Sequence, residues 1–167
     1  DLLNLNHLSQ NLPKEFSEVF DQDKYSTSQE YLRGNTRFGL VSSLTDLILV
    51  LLFWFWGGFG ILDNFVRGLG VGSILTGLAF IGILALLKMV VSLPFSLYST
   101  FVIEEKFGFN NTSVKLFFLD LIRSTALAAV LGGGLLALVI WFLETSGAMA
   151  WLYCWVAGTL FILAIQY

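Results

Sequence analysis

The stretch VGSILTGLAFIGILALLKMVVSL, residues 71–93, carries one charged side chain, Lys88, and shows no alternation of apolar and polar positions. A helix rises 1.5 Å per residue, so about 20 apolar residues cross a hydrocarbon core about 30 Å thick. In lipid, backbone groups are satisfied only inside a helix or a closed barrel. Barrel strands alternate over about ten residues, and this run does not. It reads as a transmembrane helix, and that reading decides the fold class.

Three further segments read the same way. One covers 38–56 and is interrupted only by Asp46. A second covers 120–143, free of charge from Ser124 to Leu143, and a third covers 147–167, within a charge-free run from Thr145 to Tyr167. The expected fold is therefore all-α: a polytopic membrane bundle of about four transmembrane helices, with a loop over about 94–119. Composition agrees, since 56% of the 167 residues are hydrophobic and only 13% charged, giving a mean hydropathy of +0.79. Soluble domains carry about 25% charged residues. The surplus apolar surface calls for a lipid bilayer as partner. A net charge of -3 gives no reason to expect nucleic acid.

The first 37 residues are polar and form a helical lead-in. Pro13 suits a first helical turn, and Phe16, Val19 and Phe20 make one apolar stripe. From Asp23 onward only Gly34 is a strong breaker before Phe38, so one long helix can run into the first span. Lysine and arginine then set orientation. Lys14, Lys24, Arg33, Arg37, Lys106 and Lys115 gather on the face of the N-terminal region and the 94–119 loop, with Lys88 and Arg123 close enough to snorkel there. The other face has Arg67 alone. Residues 1–37 and 94–119 are therefore expected in the cytoplasm. The chain opens at Asp1 without a signal-peptide pattern and ends inside FILAIQY, so both ends look cut.

Few residues are placed for chemistry. Asp46 stands inside an apolar run, where a carboxylate faces a bundle interior, a partner or a water-filled cavity, unless it reaches the headgroups. The glycines of GLGVG (68–72) suggest a turn, and GGG (132–134) suggests close packing or a local helix distortion. Cys154, the only cysteine, is read as a small apolar side chain. Adjacent carboxylates, Glu104 and Glu105, suit acid–base chemistry or a cation, but neighbours on a helix point about 100° apart, and a charged stop at the membrane boundary explains them as well. Leu93-Pro94 argues against an unbroken straight helix there. The single histidine, His7, lies in a polar stretch, and no H-E-x-x-H motif occurs. Catalytic zinc takes three protein ligands as a rule, so no catalytic or metal-binding residue is expected in this chain.

The string LPFSLYSTFVIEEKFGFN, 93–110, closely resembles the signature in the N-terminal membrane domain of type I CAAX prenyl endopeptidases, which are integral-membrane zinc metalloproteases. FDQDKYSTSQEYLRGNTRFGLVSSL resembles that family's lead-in, and WLYCWVAGTLF its last helix before the catalytic region. Order and spacing agree along nearly the whole chain. The resemblance implies a helical barrel around an intramembrane chamber. It implies an H-E-x-x-H zinc site supplied by a downstream region, with prenylated proteins or related peptides as substrates. It also implies one more helix before Asp1. The matched residues Tyr98, Thr100, Glu104, Glu105, Phe109 and Asn110 are then candidates to line the active-site entrance or contact substrate.

On this reading zinc belongs to the longer parent protein, and the chain alone is not an enzyme. The N-terminal region looks closest to bacterial members, which suggests a bacterial inner membrane. A non-catalytic membrane scaffold or binding module is the alternative. A small transporter or channel would rest only on Asp46, Lys88 and the glycines.

Overall fold

The computed structural model describes residues 21–166, so His7, Lys14 and the expected stripe of Phe16, Val19 and Phe20 lie outside the described residues. Among the described residues the structure is helical, with no strand. Helix α1 runs Gln22–Phe55, α2 Gly58–Gly68 and α3 Ser73–Tyr98. A π-helical turn, Ser99–Glu104, continues α3. Helix α4 spans Val114–Thr145, and after a 3-10 turn at Gly147–Met149 α5 spans Ala150–Gln166. Four helical stretches are long and apolar enough to cross a membrane: Gln22–Phe55, Ser73–Glu104, Val114–Thr145 and Gly147–Gln166.

The apolar side chains mostly face outward. Leu62, Val66, Ile103 and Ala150 are the buried hydrophobic residues among those described, while Phe55 is 82% and Trp56 80% exposed. A soluble domain could not leave so much apolar surface in water. Lipid covers it. The fold is a polytopic membrane protein.

Two compact units make up the chain. The first joins the residues through Phe59 to Lys88–Ser113. It contains α1, capped at Asp21, whose side chain accepts a hydrogen bond from the Asp23 amide at 2.9 Å. Helix α1 passes through position 37 without a break, so lead-in and first span are one element. It stops at Gly57, whose φ of +72 turns the chain. Phe53 and Phe59 then pack edge-to-face at 4.9 Å across that turn.

The second unit joins Gly60–Leu87 to Val114–Tyr167. Most of α2 lies here, an amphipathic helix that buries Leu62 and Val66, four residues apart. At about 16 Å it is too short to span the bilayer. Arg67 donates to Asp63 one turn away at 2.7 Å, and this pairing holds its guanidinium pKa above the ordinary value. Gly70 and Gly72, both at positive φ, form the turn into α3. A Cβ on Gly77 would come within 2.7 Å of Ile140 Cδ1, so the glycine leaves room for the tip of the Ile140 side chain.

Two expectations need correction, and one helix was not foreseen. The segment 94–119 is not a loop throughout: the helix continues past Pro94 to Glu104, and α4 begins at Val114 rather than near 120. A proline inside a membrane helix is tolerated because local π or 3-10 adjustment resatisfies the backbone. The GGG at 132–134 neither breaks nor packs α4. A Cβ at any of the three would meet nothing within 4 Å. The link between the first two spans contains α2, which glycines at 58, 60 and 68 hid from a composition-based reading.

Candidate functional site

The signature string folds into a latch at the end of α3, within the first unit. Its geometry begins with the π turn. A residue there aligns with the one five further on, whereas in an α-helix the step is about four. Tyr98, Ile103 and Phe107 follow steps of five and four, which keeps all three toward α1. Tyr98 packs on Phe38 of α1 with ring centroids 4.9 Å apart, Ile103 is buried, and Phe107 meets Tyr31 of α1 at 5.7 Å.

The helix then ends in a Schellman motif. The Phe109 amide donates to the Glu104 carbonyl at 2.9 Å, and the Gly108 amide to that of Glu105 at 3.1 Å. This requires φ of +73 at position 108, which glycine adopts without a Cβ penalty. Gly108 is thereby flanked by two phenylalanines on the same tyrosine, since Phe109 also packs on Tyr31, at 4.8 Å. Asn110 Nδ2 donates to the Glu105 carboxylate at 2.8 Å. Asn110 Oδ1 in turn accepts from the Thr112 amide at 2.7 Å. One asparagine therefore ties the last helical carboxylate to the loop behind it.

Beside the latch lies a cleft of about 490 Å³ between α1 and the end of α3. Phe38, Tyr98, Val102, Ile103 and Phe107 give it an apolar wall, Glu30, Arg33, Arg37 and Lys106 give it a charged rim, and Gly34 lines it too. Deeper along the same two helices, Asp46 pairs with Lys88 at 2.5 Å.

Of the six expected site residues, the structure brings Glu105, Phe109 and Asn110 together in the latch. It places Tyr98 in the cleft. Thr100 and Glu104 are half-buried in the π turn, Glu104 joining the latch through its carbonyl. The cleft residues on α1 were not singled out from sequence. The signal for this face of α1 was the spacing of Tyr31, which holds the latch, with Gly34 and Phe38 of the cleft, at i, i+3 and i+7.

Residues 1–167 match the family described as CAAX prenyl protease N-terminal, five membrane helices. The chain belongs to this family. A CAAX prenyl protease 1 homolog of Arabidopsis thaliana is 32% identical over 164 residues, covering 92% of this chain and 38% of that protein. The CAAX prenyl protease 1 of Saccharomyces cerevisiae is 32% identical over 139 residues, covering 77% and 31% respectively. A crystal structure of S. mikatae Ste24p superposes with a TM-score of 0.83 at 31% identity, over 96% of this chain and 38% of that one. The chain thus spans less than two fifths of the length of these CAAX prenyl protease relatives. The family description has five membrane helices, and four spans are present among the described residues.

Proposed function

We propose that this chain is the membrane part of a zinc metalloendopeptidase of the CAAX prenyl protease kind. Its helices help enclose an intramembrane chamber and guide a prenylated peptide or protein toward a zinc site outside this chain. The observation that carries the reading is the folded signature. The residues 93–110 that resemble the family's string form one braced unit, the π turn and latch held on Tyr31 and Phe38, beside an open cleft.

Zinc itself does not fit the described residues. Among them no three His, Cys, Asp or Glu side chains gather where a metal ion would be held, and catalytic zinc takes three protein ligands as a rule. The metal and the chemistry it supplies, polarising the scissile carbonyl and activating water, are therefore assigned to a downstream region of the longer protein. That region would be this chain's main protein partner.

The orientation proposed from the cations puts residues 1–37 and the latch in the cytoplasm, the side from which a lipidated C-terminus would enter. In support, Lys106 and Lys115 flank the loop between α3 and α4, and the turn between α2 and α3 follows Arg67 alone. A bacterial inner membrane rests only on the character of the N-terminal region, and the relatives named above are eukaryotic.

A photo-crosslinker in the longer protein tests the substrate path. Placed at Tyr98, it should label a prenylated peptide. At Leu131 on α4, which is 64% exposed, it should label lipid instead. Equal peptide labelling at both positions would argue against a substrate path along the cleft.

A further inference from the structure

We propose that the cleft between α1 and the end of α3 binds one anionic phospholipid. Arg37 and Lys106 would hold the headgroup phosphate, and an acyl chain would lie along Phe38 and Tyr98. The site does not require proteolysis, but a lipid seated here would compete with a substrate passing along the same cleft at Tyr98.

Position supplies the first argument. Arg33 and Arg37 occupy the turn of α1 just before its apolar run begins at Phe38. Lys106 ends the helix on the facing side, with its ammonium 5.2 Å from the centre of the Phe107 ring. Three cations thus line one cleft beside the start of the apolar run of α1, together with the apolar side chains of Phe38, Tyr98, Val102 and Ile103. Basic pockets at such a level, between membrane helices, suit anionic headgroups.

Charge and shape agree with that ligand. Glu30 is the one carboxylate among the lining residues, so the rim carries three positive charges against one negative. The neighbouring Glu105 carboxylate is engaged by Asn110 in the latch. A neutral ligand would gain nothing from such a rim, and a soluble anion would gain nothing from the wall below it. The volume of about 490 Å³ falls within the roughly 300–1,000 Å³ usual for small-molecule sites.

Gly34 is the third argument. Glycine is a poor helix former, yet it stands inside α1 among the residues lining this cleft. A Cβ there would meet nothing within 4 Å, so packing between helices does not demand it. What it leaves is room in the cleft.

The test titrates the full chain in a neutral detergent with dioctanoyl phosphatidylserine, dioctanoyl phosphatidylcholine or inorganic phosphate, binding being read by calorimetry. Phosphatidylserine should bind at least tenfold more tightly than either other probe. Arg37→Gln with Lys106→Gln should weaken it at least tenfold, and so should Gly34→Leu, which crowds the cleft without altering charge. Each variant should elute as the same monodisperse species as the unaltered chain, and Arg67→Gln, outside the cleft, should bind within about twofold of it, which separates loss of the site from loss of the fold. Equal affinity for the serine and choline headgroups, or undiminished binding by Gly34→Leu, would overturn the proposal. So would inorganic phosphate matching the lipid, which would make this a free-anion site. A free-carboxylate tetrapeptide that displaces the lipid at lower concentration would overturn it too, in favour of a peptide terminus.

Discussion

The carboxylate of Asp46 on α1 meets the ammonium of Lys88 on α3 at 2.5 Å, joining two charges that each interrupt an apolar run. Asp46 lies nine residues before the end of α1 at Phe55 and Lys88 ten before the end of α3 at Tyr98, about 14 and 15 Å along their helices. Both lie within the apolar runs of their spans. Pairing is what makes either tolerable there.

Asp46→Leu and Lys88→Leu should each destabilise the folded protein by about 3 kcal/mol, because each leaves the other charge alone in lipid. The double substitution should recover most of that loss, since neither charge remains. Reversible unfolding in mixed micelles measures all three. Additive losses in the double variant would show that the two residues act independently.

Gly108 and Gly34 should answer oppositely to alanine. Gly108→Ala forces a Cβ into φ of +73 and should cost about 1–2 kcal/mol, loosening the latch. Gly34→Ala removes a poor helix former at a place with open space and should be neutral or stabilising by up to about 1 kcal/mol. Thermal unfolding, with limited proteolysis at the 107–113 loop, distinguishes the two.

Glu105 and Asn110 should behave as one device. In the longer protein, Glu105→Ala and Asn110→Ala should each reduce turnover, and the double variant should be little worse than the poorer single one, because one hydrogen bond joins them. Glu105→Gln keeps an acceptor for Asn110 and should retain most latch stability. A loss of turnover with Glu105→Gln while the fold is intact would assign the negative charge itself a role in organising the site. Multiplying defects in the double alanine variant would dissolve the pairing.

Tyr31 is the post on which the latch closes. Tyr31→Ala removes edge contacts to Phe107 and Phe109. A double-mutant cycle between Tyr31→Ala and Phe109→Ala should give a coupling of about 0.5–1.5 kcal/mol. No measurable coupling would mean that the loop is held from elsewhere.

The spans were legible in the sequence because twenty uncharged apolar residues leave few alternatives to a membrane helix. The continuous α1 was legible too: Asp21 is a good cap, and nothing between Asp23 and Phe38 except Gly34 resists helix. Helix ends were less so. Hydropathy marks where lipid begins, and α3 and α4 extend beyond it on capping and π-turn geometry that composition does not encode. Pro94 misled for the same reason, since a rule drawn from soluble helices penalises it more than a membrane helix does. In the site, the signature string gave the latch residues but not their partners. Asp46 and Lys88 are 42 positions apart in sequence, and no spacing rule joins residues on separate helices. Tyr31, Gly34 and Phe38 did share a face, but in a polar stretch where an apolar stripe carries little weight.

Cleavage of a prenylated C-terminal peptide, with and without a zinc chelator, should be compared between this chain and the longer protein that adds the downstream region. The chain alone should show no cleavage at any zinc concentration, and the longer protein chelator-sensitive cleavage. Zinc-dependent cleavage by the chain alone would contradict a zinc site outside this chain.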